Sequence, residues 1–193
     1  MSEFEEFRNA IRTGDLRRHV NDFFLFPRPF LFAGRDDLYN EFRHEISSAL
    51  GVPGRAIAFV GSAQLGFSLN PNYLGRPFGA HSDVDIVIVS APHFDQAWLE
   101  LNALTPAEWK LDRLSRERMD RCRQDVFWGY VRLWQLPRRL TIAREWIPIL
   151  DRLSSDARFG PRQMAGRLYR TWSQVEVSYA FSLQALRVPP ETA

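Results

Sequence analysis

The sequence of 193 residues has few of the features that would place a chain in a class at once. It holds a single cysteine, Cys122, so no internal disulfide is expected, and no cysteine or histidine spacing fits a zinc site. No apolar run approaches the roughly 18 to 20 residues that a membrane span requires. The first residues are acidic and aromatic, unlike a secretory signal. We therefore expect a cytoplasmic protein with no membrane partner.

Net charge and lysine are scarce as well. The formal net charge is only +2, and Lys110 is the one lysine among 25 basic residues. A nucleic-acid footprint requires a clustered basic face, which this small excess does not predict. Guanidinium groups suit bidentate contacts with phosphate or carboxylate, although a compositional bias explains most of the arginines equally well.

The composition nevertheless favours a folded domain. Hydrophobic residues make up 45% of the chain and aromatic residues 13%, enough for a single core without disulfides. We predict one domain over residues 1–193, with a core of about 36–136 and a C-terminal helical part of about 141–187. The predicted fold class is α/β (or α+β), a small mixed sheet of three to five strands flanked by helices from both chain ends.

Apolar periodicity predicts helices near both ends of the chain. These are expected at residues 3–11, 38–50, from 92 onward, at 141–153 and at 162–186. Asp36 and Asp37 are placed as the N-cap of the second helix, which Gly51 ends. Thr105 resembles the N-cap of a further helix, with Pro106 after it. A turn is expected at 159–161, and the phenylalanine-rich residues 23–32 are predicted to be an extended, largely buried connection.

Two short runs rich in β-branched residues, 56–60 and 84–89, predict buried strands at the centre of the molecule. A third strand is predicted at 127–133, where the alternation is poor. Glycine and proline in residues 70–81 predict an exposed loop between the first two strands.

Chemistry-bearing residues stand at the ends of these two strands. Gly61 and Ser62 follow the first strand, where exposed backbone N–H groups at a helix start attract anions and glycine allows close approach. Asp83 and Asp85 belong to the second strand and alternate onto one face of it. Two carboxylates on one rigid edge are a site for a hard cation such as Mg²⁺, shared with substrate phosphates.

A Gly-Ser after one strand followed by Asp-x-Asp on the next resembles the signature of the DNA polymerase beta-like nucleotidyltransferase superfamily. The resemblance covers about residues 56–90, with Gly61, Ser62, Asp83 and Asp85 as the matching positions. It implies a nucleotidyltransferase fold and transfer of a nucleoside monophosphate from a nucleoside triphosphate to a hydroxyl acceptor on a protein, an RNA or a small molecule. The Gly-Ser turn would bind the triphosphate, and the two aspartates two Mg²⁺ ions. Similar standalone members often belong to toxin–antitoxin or defence modules, which is an analogy.

The chain departs from the family pattern in two ways. Asp83 lies 22 positions after Gly61, so residues 70–81 are an insertion that could cover the site or bind substrate. A third carboxylate on a later strand normally completes the family's metal site, and residues 127–136 contain none. The nearest acids in sequence are Asp125, Glu145 and Asp151.

These departures keep other hypotheses open. The chain could be a catalytically inactive nucleotidyltransferase-fold module that acts through a partner, or an RNA-binding helical protein that uses its C-terminal arginines. The motif residues could also be a solvated strand edge and a simple turn.

Further residues carry weaker predictions. Arg76 is a candidate for nucleotide binding, with His81 beside it, although a solvated loop would expose both. Arg167 and Arg170 are expected on the last helix, where they form a basic aromatic surface or a merely exposed one. Cys122 is expected to be an incidental or buried thiol.

Overall fold

A computed structural model describes residues 2–104, 112–158 and 162–187. Four strands form one mixed sheet in the order β1-β2-β4-β3, where β1 is Ile57–Val60, β2 is Val84–Val89, β3 is Tyr130–Arg132 and β4 is Met164–Tyr169. The two central strands, β2 and β4, are parallel, and each outer strand is antiparallel to its neighbour. The coarse prediction of a small mixed sheet with helices is therefore confirmed.

Helices pack on both faces of this sheet. They are Glu3–Ala10 (α1), Leu16–Val20 (α2), Asp36–Leu50 (α3), Gly61–Leu65 (α4), Ala91–Leu104 (α5), Arg113–Phe127 (α6), Thr141–Ser154 (α7) and Trp172–Arg187 (α8). Within the described ranges, none of them combines the length and apolar character needed to cross a membrane.

Each face of the sheet supports its own apolar cluster. Ile86, Ile88 and Leu168 turn into the larger cluster, which α3, α5 and α7 complete. Val87 and Tyr169 turn the other way into a smaller cluster, which the N-terminal helices and α8 cover. Alternation along β2 therefore divides its side chains between the two layers.

The end of α3 was predicted correctly, and its beginning was not. Gly51 ends the helix in a left-handed conformation at φ +66°, as predicted. The predicted N-cap is wrong by one residue, because Arg35 holds that position without a side-chain cap. Asp36 and Asp37 instead lie in the first helical turn, where their charges favour the positive end of the helix dipole.

The predicted final helix from 162 to 186 is wrong in its first third. Residues Met164–Tyr169 form β4, and the helix begins only at Trp172. A Cβ atom on Gly166 would lie 2.7 Å from a methyl carbon of Leu133 and 2.9 Å from one of Leu150. Glycine thus lets these neighbours approach the strand closely, and the C-terminal part of the chain is not only helical.

The remaining predictions near the third strand and the aromatic segment are met in part. Only Tyr130–Arg132 is a strand, because residues before it continue α6 as far as Phe127. In residues 23–32, Phe24 and Phe32 are buried, but Phe26 and Phe30 are exposed, and helical turns replace most of the extended connection. The predicted cap at Thr105 and the turn at 159–161 lie outside the described residues.

Candidate functional site

Gly61 and Asp85 meet where β1 ends and β2 begins. Val60 pairs with Asp85 in the antiparallel ladder, which places Gly61 immediately beyond the pair. A Cβ atom on Gly61 would lie 3.0 Å from Oδ2 of Asp85, and Gly61 has φ +62°. Both the left-handed backbone and the carboxylate contact therefore favour glycine at this position.

Asp83 and Asp85 share this end of the sheet but differ in exposure. Asp83 precedes β2 and is exposed, whereas Asp85 lies on the strand and is half-buried. Burial is the main cause that raises the pKa of Asp85; the charge of Asp83 raises it further, and Arg167 opposes both. The two acids thus form an uneven pair, one solvated and one held against the protein.

Ser62 lies one residue beyond the glycine at the start of α4 and is half-buried. No side chain caps this end of the helix, because its N-cap is Val60. The first amides of a helix have no partner within the helix, so they are available to an anion that approaches the Gly-Ser turn. The position of Ser62 thus agrees with its predicted role, which remains a prediction.

The strand beside Asp85 is β4, which the sequence did not reveal. Ala165 is the direct partner of Asp85 in the parallel register, and Arg167 is the partner of Val87. Paired residues share a sheet face, so Ala165, Arg167 and Asp85 face the same layer. The buried alternation of Met164, Gly166 and Leu168 was the available signal for this strand.

Arg167 lies in a polar cluster beneath α8. Burial acts to lower the pKa of its guanidinium, but the hydroxyls of Tyr179 and Tyr169 and the carboxylate of Asp85 together raise it above its ordinary value. The Nε atom of Arg167 is buried, without a hydrogen-bond partner among the described residues. Arg167 is therefore an internal charge of the sheet rather than part of a basic helix surface.

The three acids considered as a third carboxylate lie elsewhere. Asp125 is buried on α6 and forms a bidentate ion pair with Arg132. Glu145 and Asp151 are exposed on α7. In the part of the chain that the structure describes, no group of three histidine, cysteine or acidic side chains is arranged to hold a metal ion.

The loop before Asp83 is exposed, as predicted, but its arginine has a local partner. The guanidinium of Arg76 lies 4.4 Å from the ring centroid of Tyr73, and His81 is exposed. Arg162, just before β4, fastens the end of the loop by donating hydrogen bonds to the carbonyl oxygens of Gly79 and Ser82. One of these two hydrogen bonds is made to Ser82, the residue immediately before Asp83.

Five of the surface cavities and the thiol of Cys122 lie apart from the predicted centre. Among the described residues these five have volumes of about 310 to 570 Å³, and they are not lined by Gly61, Ser62, Asp83 or Asp85. Cys122 is buried, and burial raises the pKa of its thiol to about 11, which makes it a poor nucleophile.

Substitution of Gly61 by alanine is expected to displace the Asp85 carboxylate. The left-handed backbone alone costs about 1–2 kcal/mol for a residue with a side chain, and the 3.0 Å contact with Oδ2 adds to this cost. Gly51→Ala is the matched control, because Gly51 has φ +66° and nothing within 4 Å of its Cβ position. Urea unfolding should show the larger loss for Gly61→Ala; equal losses would contradict the contact.

The chain's relationships do not supply a function. Comparison with models of protein families, with curated proteins and with solved structures finds no match to this chain. The argument for a function therefore rests on the residues that meet at this end of the sheet.

Proposed function

We propose that the chain is a Mg²⁺-dependent nucleotidyltransferase that transfers a nucleoside monophosphate from a nucleoside triphosphate to a hydroxyl acceptor. The observation that carries this proposal is the closeness of Gly61 and Asp85, since a Cβ atom on this left-handed glycine would lie 3.0 Å from the half-buried carboxylate. A turn suited to an anion and an acid suited to a cation thus lie close together, which supports binding of a metal–triphosphate complex. The acceptor class stays open among protein, RNA and small molecule.

Each residue of the proposed site has a role that follows from its chemistry. Amides of the Gly61–Ser62 turn and the Ser62 hydroxyl would hold phosphate oxygens, while Asp83 and Asp85 offer carboxylate oxygens to a cation. One of these two acids would also accept the proton of the attacking hydroxyl. Arg76, whose guanidinium lies over the ring of Tyr73, would add a positive charge for the nucleotide.

The donor set fits one Mg²⁺ better than two. Two carboxylates together with substrate phosphates are a common Mg²⁺ ligand set, but no third acid joins Asp83 and Asp85 among the described residues. Bound there, Mg²⁺ would neutralise phosphate charge and stabilise the charge that develops during transfer.

A second candidate is a catalytically inactive module that retains the nucleotide site or only the fold. The observation that favours it is on β4, where Ala165 and Arg167 share the face of Asp85 and no acid is present. In this case the protein would act through a partner, and the site would bind nucleotide without turning it over.

Thermal melts test whether the proposed centre binds its ligands. Mg²⁺ with the preferred nucleoside triphosphate should raise the melting temperature by roughly 3–6 °C when the ligand is at tenfold its Kd. Ser62→Ala should reduce the shift, whereas Ser48→Ala, at an exposed position on α3, should not. No shift with any of the four nucleotides at millimolar concentration would remove nucleotide binding from the proposal.

A further inference from the structure

A basic residue, Arg167, lies near the two acids of the proposed site. Asp83 and Asp85 form no ion pair within 4 Å in the described ranges, yet Arg167 lies on the same sheet face one strand away. Burial raises the pKa of Asp85, and the charge of Arg167 acts in the opposite direction with a smaller effect. A positive charge is thus built into the wall of the acidic site.

The guanidinium of Arg167 forms no ion pair within 4 Å with an acid among the described residues. The next residue along the row is Arg132, which pairs with Arg167 across β3 and β4. Arg132 is neutralised by Asp125 through two hydrogen bonds of 2.6 and 2.7 Å, and Asp125 is buried behind it. Tyr179 and Tyr169 act to raise the pKa of Arg167, and its buried Nε lacks a hydrogen-bond partner among the described residues. The carboxylate of Asp85, on the same face of the neighbouring strand, also acts to raise the pKa of Arg167.

The register also identifies where a further acid would have to lie. Neighbouring strands are about 4.8 Å apart, so the residue opposite Asp85 on β4 lies directly beside it on the same face. That residue is Ala165, which carries no ligand atom and is half-buried. The side of the site next to β4 thus lacks a carboxylate at the register position and carries a guanidinium two residues beyond it.

We infer that Arg167 supplies from within the protein the positive charge that a second metal ion would carry, so that the centre takes one divalent cation with its nucleoside triphosphate. This inference rests on the proposed function. Asp83 and Asp85 carry two negative charges, and the guanidinium of Arg167 balances one of them. A single divalent cation then balances the remaining carboxylate charge and part of the phosphate charge. Arg167 acts on the ligands through Asp85 and is a positioning residue.

The test counts Mn²⁺ ions bound to the full chain by electron paramagnetic resonance, with a saturating non-hydrolysable nucleoside triphosphate analogue. Wild type should bind one Mn²⁺ per complex. Ala165→Asp should bind two, because it places a third carboxylate beside Asp85, and its uncharged match Ala165→Asn should still bind one. Circular dichroism and thermal unfolding establish that both variants are folded.

Two ions on the wild type would overturn the inference and leave the proposed function standing. Failure of the wild type to bind either nucleotide or Mn²⁺ would overturn both. One ion on the wild type together with one on folded Ala165→Asp would also overturn the inference, because β4 would then not border the cation.

A second measurement tests the charge of Arg167 itself. Titration of Mn²⁺ without nucleotide, at a pH that keeps Asp85 ionised in both proteins, should show roughly tenfold tighter binding for Arg167→Met, since a positive charge that repels the cation has been removed. Arg167→Lys keeps the charge and should bind Mn²⁺ as the wild type does. Unchanged affinity in a folded Arg167→Met would overturn the inference.

Discussion

Replacement of both Asp83 and Asp85 by alanine is expected to abolish nucleotide transfer while the fold survives. The variant loses both carboxylates of the proposed cation site but keeps Val84 and Ile86, which anchor β2 in the core. Loss of charge stabilisation in the transition state typically costs a factor of about 10² to 10³ or more. Radiolabelled nucleotides incubated with protein and a cell extract would show label entering protein, RNA or small-molecule fractions only with the wild type.

The pKa of Asp85 explains why the fold should not suffer. Burial raises this pKa above its ordinary value of 3.8, so the folded state holds the proton more tightly than the unfolded chain. The contribution of Asp85 to stability is therefore present at low pH and is lost as pH rises through the raised pKa. At neutral pH without divalent cations, the double variant should be at least as stable as the wild type.

The matched control for this experiment removes two acids from another surface. Glu145→Ala with Asp151→Ala deletes two exposed carboxylates on α7, so the change in net charge is the same. Label transfer should persist in this control. Equal transfer by the Asp83/Asp85 variant would contradict the assigned roles, and absence of transfer by the wild type would favour the inactive module.

The part of the fold that was predictable is the part that local sequence decides. The strands at 57–60 and 84–89 are continuous apolar runs bounded by turn residues, and Gly51 has the conformational freedom that a left-handed helix end requires. The strand at 164–169 was mistaken for helix because it is short and lies only two residues before α8. Its strand character depends on pairing with β2, about 80 positions earlier, and the alternation of Met164, Gly166 and Leu168 is too short a local pattern to establish it.

The candidate site likewise has a part that local sequence predicted and a part that depends on long-range strand pairing. Gly61 and Asp85 were predicted to lie together because each ends or begins its own strand, and the structure brings them close, with Gly61 directly after Val60, the ladder partner of Asp85. The residues that face Asp85 from the neighbouring strand, Ala165 and Arg167, follow from the register of a long-range parallel pair. Whether the site has two acids or three is thus a tertiary property, which the sequence motif left open.

Replacement of Asp125 by alanine is expected to cause the largest loss of stability, about 3 kcal/mol in the free energy of unfolding. Asp125 is only 2% exposed and accepts two hydrogen bonds from Arg132. Those hydrogen bonds are the main cause that raises the pKa of Arg132. Without the carboxylate, Arg132 would remain partly buried and unpaired beside Arg167 on the neighbouring strand, so two like charges would face each other.

Urea unfolding of three variants separates this mechanism from a general effect of lost ion pairs. Asp95→Ala breaks the pair with Arg170 at 2.8 Å, where both side chains are nearly half exposed, and should cost less than about 1 kcal/mol. Asp125→Ala combined with Arg132→Met removes both charges and should recover most of the loss, because no guanidinium is left without a partner. A double variant as unstable as Asp125→Ala would show that the aspartate acts through packing rather than by neutralising Arg132 beside Arg167.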